Sequence, residues 1–231
     1  MADVKQPVRH RSENELVIDR AKDFWSRFGR IILIGFGAII LLGGGWLAYK
    51  YLVQIPKEEK AAEASWKAQS YFMQDSLALA LKGDGKNPGL DKVISQYGGT
   101  AAGNTARFMA GAAALKAGDN NKAVEYLKEF STDSKMIQAR AYKLLGDAYA
   151  NLGKNSDALN NYKKAAHEFE KDVMNSSEYL YFAAYFADRV MNDKKEAIEL
   201  YKEIQKKYGN SQFGREAEKF LAQAGVYKTD N

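Results

Sequence analysis

Apolar residues along this chain fall into two regimes. Between Ile31 and Tyr49 they form an unbroken run, IILIGFGAIILLGGGWLAY, in which nineteen residues pass without a charge. Beyond Pro56 they recur three and four residues apart between polar positions, the period of amphipathic helices. The clearest such stretch is ARAYKLLGDAYANLGKNSDALNNYKKAAHEFEK, residues 139–171. Tyr142, Leu145 and Tyr149 share a stripe of one helix, and Ala158, Tyr162 and Ala165 a stripe of the next. Gly146 and Ala158 are small where the two helices must approach closely. Gly153 suits a left-handed helix end, and Asn155 or Ser156 a cap on the helix that follows.

The same spacing appears upstream. Gly111, Gly118, Ala123 and Leu127 precede Gly146, Gly153, Ala158 and Tyr162 by 35 residues each. A fourth hairpin uses Tyr181, Ala184, Ala197 and Tyr201 around the turn at Asn192-Asp193. There Tyr185 and Asp188 stand where the pattern expects a small and an aromatic residue. Ahead of these lies a degenerate first hairpin. Its first helix runs from about Lys57 to Leu81, with Ala62, Trp66, Gln69, Phe72, Met73, Ser76 and Leu77 on its stripe. A short second helix spans Leu90 to Tyr97. After Tyr208-Gly209-Asn210, Ser211 caps a closing helix that buries Phe213, Ala217, Phe220 and Leu221. The fold class expected is therefore all-α: an N-terminal membrane helix, then an α-solenoid of helical hairpins with a C-terminal capping helix.

The apolar run reads as an uncleaved membrane anchor. A helix needs about 20 residues to cross the hydrocarbon layer. Trp25 and Phe28 flank one end and Trp46, Tyr49 and Tyr51 the other, as an interfacial belt requires. A signal core is shorter, and small residues at a cleavage spacing are missing after Trp46. From Glu13 to Phe28, Leu16, Val17, Ala21, Phe24, Trp25 and Phe28 recur at helical spacing, which predicts a short helix in the membrane interface. Pro56 is expected to break the span, with Gln54 and Ile55 extended before it and Pro56 in the first turn of the next helix. The resulting division is 1–30, a tail with an interfacial helix; 31–53, the span; 57–225, the repeats; and 226–231, a short tail.

Charge sets the orientation. Residues 1–30 hold seven basic and five acidic side chains, whereas Lys50, Lys57 and Lys60 follow the span. This places the N-terminus in the cytoplasm and the repeats across the membrane. Residues 57–231 carry 26 basic and 24 acidic side chains, a balance that does not suit a nucleic-acid binder. There is no cysteine, and His10 and His167 are the only histidines, which leaves no disulfide, thiolate or paired-histidine site. No phosphate-binding loop, zinc motif or nucleophile setting stands out. Catalytic, cofactor and metal residues are accordingly expected to be none.

The hairpin of residues 139–171 resembles a tetratricopeptide repeat, matching it at Tyr142, Leu145, Gly146, Tyr149, Ala158, Tyr162 and Ala165 and departing from it at Glu170. The whole layout, with GDGKNPGLDKVISQYGGTAAGNTARFMAG and YKEIQKKYGNSQ, is similar to a bacterial inner-membrane family of ancillary Sec-translocon subunits. That resemblance implies a single-pass inner-membrane protein with a periplasmic repeat domain. Its partners would be proteins or peptides, Sec subunits and secretory chains among them, with the bilayer held by residues 31–53. The concave positions it implies are Phe108, Ala112 and Leu115 in the second hairpin. In the third they are Arg140, Lys143, Asp147 and Asn151, and in the fourth Tyr179, Phe182, Phe186 and Arg189, whose aromatic stripe either anchors a peptide or packs on the closing helix or a neighbouring repeat. A scaffold for cytochrome c maturation or envelope assembly, and a cytosol-facing organelle receptor, remain compatible with the same pattern. Nothing in the sequence fixes an oligomeric state.

Overall fold

A computed structural model describes residues 13–226; the polar residues 1–12 and the end of the C-terminal tail, 227–231, lie outside it. The chain forms two compact units, Met1–Pro56 and Lys57–Asn231. Among the described residues every element is helical, apart from one isolated bridge between Gly83 and Pro88.

In the first unit α1 (Glu13–Tyr49) is a single helix of 37 residues. The expected short interfacial helix and the apolar run are thus one element, since nothing between Phe28 and Ile31 interrupts the helical ladder. Gly29 fits under the Trp25 ring, whose atoms lie 3.2 Å from where a Cβ would sit. Phe24 and Phe28 pack at 5.1 Å, and Lys50 Nζ lies 5.2 Å from the Trp46 ring. The helix is long and apolar enough to cross a membrane, and most of its large apolar side chains are exposed.

The expected break at Pro56 does not occur. Lys50–Gln54 form a π turn in which the Ile55 N–H reaches Lys50 O, and α2 (Ile55–Met73) follows at once. Proline removes one amide donor and crowds the carbonyl four residues back; a wider turn just ahead of it relieves both.

The second unit stacks hairpins. After α2 come α3 (Leu77–Lys82), α4 (Leu90–Tyr97), α5 (Ala101–Lys116), α6 (Asn120–Glu129), α7 (Lys135–Asn151), α8 (Asn155–Glu168), α9 (Val173–Arg189), α10 (Lys194–Tyr208) and α11 (Gln212–Gln223). The long helix expected over Lys57–Leu81 is therefore two. Asp75 takes φ +58° and Ser76 N–H closes back on Tyr71 O, ending α2 two turns early. The buried stripe of α2 is Ala61, Ser65 and Ala68, one position off the expected one. Trp66 and Met73 consequently face outward, 58% and 84% exposed. Ala68 joins the buried cluster of Ala80, Leu90, Val93 and Ala106.

Helix starts follow their side chains. Thr100, Asp119, Asp172, Asp193 and Ser211 each accept a backbone N–H three residues on. The helices α3, α4, α7 and α8 start without such a bond; the N-cap of α8 is Lys154, so Asn155 and Ser156 do not cap it. Glu58 of α2 adds a cap from outside, accepting from Ala101 N–H at 2.8 Å and 3.0 Å at the start of α5.

The 35-residue register has a direct steric basis. A Cβ on Gly111 would lie 2.5 Å from the Leu127 side chain, and one on Gly146 would lie 2.6 Å from the Tyr162 ring. In α9 the inward stripe is Leu180, Ala183, Ala184 and Ala187, all fully buried. Four residues rather than three separate α9 from α10, with Asn192 at φ +53° where Gly153 has φ +70°. Ala184 thus occupies the glycine position, and the expected weakness at Tyr185 and Asp188 was a register offset of one residue. Tyr185 is exposed, whereas Asp188 is buried and paired with Arg189 Nε at 2.9 Å and with Lys194. The closing helix packs as expected: Tyr201 stacks on Phe220 at 4.0 Å and meets the Tyr181 ring edge-on.

Candidate functional site

The first helices of successive hairpins, α5, α7 and α9, carry the face on which the expected site residues lie. Two cavities open along it. One, of about 710 Å³, is lined by Phe72, Met73 and Asp75 at the end of α2, by Phe108, Ala112, Leu115 and Lys116 of α5, and by Arg140 and Leu144 of α7. The other, of about 450 Å³, lies between α7 and α9, where Met136, Ile137, Arg140, Lys143 and Leu144 face Asp172, Asn175, Glu178 and Tyr179. Arg140 and Leu144 line both, so the cavities share a wall at the N-terminal half of α7.

The eight positions expected to bind a partner divide accordingly. Arg140, Lys143 and Tyr179 line the second cavity. Phe182 is 41% exposed with Lys143 Nζ 5.0 Å from its ring centre, a cation–π contact at the protein surface. Asp147 is engaged, accepting from Lys143 Nζ at 2.8 Å and from Tyr162 OH at 3.0 Å. Asn151 donates to Asn120 at 3.0 Å, which ties the end of α7 to the start of α6.

Phe186 and Arg189 line neither cavity. Phe186 is 8% exposed and meets Tyr162 edge-on at 5.5 Å, so it belongs to the core between hairpins. The stripe Tyr179, Phe182, Phe186 spans seven residues and tilts around α9, carrying its last ring under the neighbouring helix. Arg189 is held by Asp188 and lines a separate hollow with Lys194, Ile198 and Phe220 near α11. Sequence reasoning also missed Met73, Met136 and Ile137, which are exposed at or beside the cavities. Their positions at helix ends hid them, because periodicity reports helix faces and says little about termini.

Electrostatics on this face is local. Lys116 pairs with Asp75 at 2.5 Å, and Asp172 caps α9 through Asn175. Burial is the chief cause that raises the Tyr179 hydroxyl above its ordinary pKa, so it stays a neutral donor at physiological pH. The Tyr162 hydroxyl is raised for the same reason, with Asp147 adding to it. Elsewhere His167, Glu170 and Glu203 bring ligand atoms within 4.8 Å of one another. Lys207 sits among them, 2.6 Å from Glu170 and 3.0 Å from Glu203, so an internal ammonium balances that cluster.

Comparison with known families agrees with this architecture. A Tetratricopeptide repeat-like domain model matches residues 22–136, from within α1 to the start of α7, and a Tetratricopeptide repeat model matches residues 179–211, most of α9 and all of α10. No curated protein matches the chain. The α7–α8 hairpin lies between the matches and repeats the Gly111–Leu127 contact at Gly146–Tyr162. Hairpins of one design therefore run from α5 to α10 with repeat models matching on both sides of α7–α8, and the fold is an all-α solenoid of tetratricopeptide-type hairpins.

Proposed function

We propose that the chain is a membrane-anchored scaffold, not an enzyme, whose repeats hold polypeptide segments along the face shared by α5, α7 and α9. The observation that carries this reading is the pair of adjoining cavities with apolar side chains left at solvent on their rims, Met73 and Met136 among them. Exposed apolar side chains around concave surface mark interaction sites. Residues 31–53 tether the domain by one span, with the N-terminus cytoplasmic and the repeats on the far side, from the excess of basic residues ahead of the span. Tethering raises local concentration, so a modest intrinsic affinity suffices. The resemblance of the layout to ancillary Sec-translocon subunits supports emerging secretory chains, Sec subunits or periplasmic chaperones as the partners.

A photo-crosslinking amino acid at Phe182, in membranes of cells making the full chain, tests the reading. Adducts with secretory chains or translocon subunits are expected. Adducts confined to unrelated complexes would remove the translocon assignment. Digestion of the repeats by protease added to the cytoplasmic side would reverse the topology.

A further inference from the structure

Charge on the concave face is paired almost throughout, and one cation is left over. Lys116 is matched by Asp75 and Lys143 by Asp147. Among the described residues Arg140 has no carboxylate within ion-pair distance and no hydrogen-bond partner, and it stands on the wall common to both cavities. Across the second cavity, Glu178 of α9 is likewise without an ion-pair partner. Apolar side chains stand on both sides of Arg140 among the polar ones: Leu115 and Met73 on one side, Ile137 and Tyr179 on the other.

Resting on the scaffold reading, we propose that this groove selects polypeptide segments that place an acidic side chain between apolar ones. The carboxylate meets Arg140, and the flanking apolar side chains enter the two cavities. A guanidinium suits this role because its planar fork grips a carboxylate through two parallel N–H donors. Glu178, on the opposite wall, accepts from backbone N–H groups of the bound segment, which are free when that segment is extended. The pairing of Lys143 with Asp147 leaves Arg140, among the described residues, as the cation on this face without a carboxylate partner.

The test uses the full chain in detergent micelles and three fluorescein-labelled peptides, acetylated and amidated so that no terminal carboxylate is present. Each carries leucine and alanine around one central glutamate, glutamine or lysine. The glutamate peptide is expected to bind about tenfold tighter than the glutamine peptide in fluorescence anisotropy, the size of one charge-assisted contact. Arg140→Gln should erase that difference while leaving the glutamine peptide unchanged, and Arg140→Glu should turn the preference toward lysine. Equal binding of the glutamate and glutamine peptides by the parent overturns the proposal and leaves the groove intact. So does a preference that survives Arg140→Gln, or one that a glutamine peptide with a free C-terminal carboxylate satisfies equally. Loss of all peptides on Leu115→Arg, with helicity by circular dichroism unchanged, supports the groove itself. If none of the peptides binds the parent, both the groove and its charge selectivity fall.

Discussion

The α7–α8 and α9–α10 hairpins have one architecture and solve its central contact differently. In the first, Gly146 leaves room for the Tyr162 ring against the α7 backbone, and Tyr162 OH is fixed by Asp147. In the second, Ala184 takes the glycine position and Tyr201 packs beyond it on Phe220 of the closing helix. The first ring is locked by a hydrogen bond within its own hairpin and the second by an aromatic stack with the cap. A repeat fold thus specifies where bulk is needed and leaves open which helix supplies its partner.

The sharpest way to break that contrast is Tyr201→Ala. The ring is 1% exposed, so truncation should cost about 3–5 kcal/mol in urea unfolding of the full chain in detergent. Because α11 leans on this ring, amide exchange should rise first in Gln212–Gln223. A loss under about 1 kcal/mol, below the usual range for emptying a buried aromatic site, would mean that the closing helix does not depend on Tyr201.

A smaller pair of substitutions asks whether the helix crossings are tuned. Gly146→Ala places a methyl 2.6 Å from a ring that Phe186 and Asp147 hold in place, and overpacking of this kind costs about 1–3 kcal/mol. The better helix propensity of alanine returns about 1 kcal/mol, which trims the loss without reversing it. Ala184→Gly should also destabilise, by about 1 kcal/mol, through backbone freedom gained in the unfolded chain. If Gly146→Ala raises the melting temperature instead, Tyr162 has room to move and the proposed lock is absent.

The hairpins were legible in the sequence because glycine and alanine at fixed spacing report backbone approach, a local demand that one residue type meets. Gly111, Gly146 and Ala158 show this directly. The register of α9 was harder to read, since one extra residue before Asn192 shifts every inward position and only packing reveals it. Phe186 was left open between groove and core for a related reason: an aromatic stripe looks the same whether it faces solvent or the next hairpin. The inner face of α2 was missed because Ala61, Ser65 and Ala68 are less conspicuous than Trp66. Arg140 was picked out as an inward position, but its unpaired charge depends on where Asp75 and Asp147 point. Side-chain pairing across helices leaves no trace in periodicity.

The smallest expected effect concerns the seam between the two hairpins. Glu170, after α8, reaches Lys207 of α10 at 2.6 Å and His167 at 3.0 Å, with Glu203 beside them. The Lys207 contact first, then the His167 hydrogen bond, holds the Glu170 carboxyl below its ordinary pKa. The reverse effect raises Lys207 above the usual lysine value. A carboxylate whose folded pKa lies below the unfolded one stabilises the fold above the unfolded value, about 4.3, and loses that contribution as pH falls through the folded one. Glu170→Gln should therefore lower the melting temperature slightly at neutral pH, and the gap to the parent should close as pH falls below about 4. The effect stays small because Glu170 is 44% exposed and water screens the pair. A gap that persists unchanged to about pH 2 would mean that Glu170 stabilises the seam by packing, and the charge pairing between the hairpins would carry no weight.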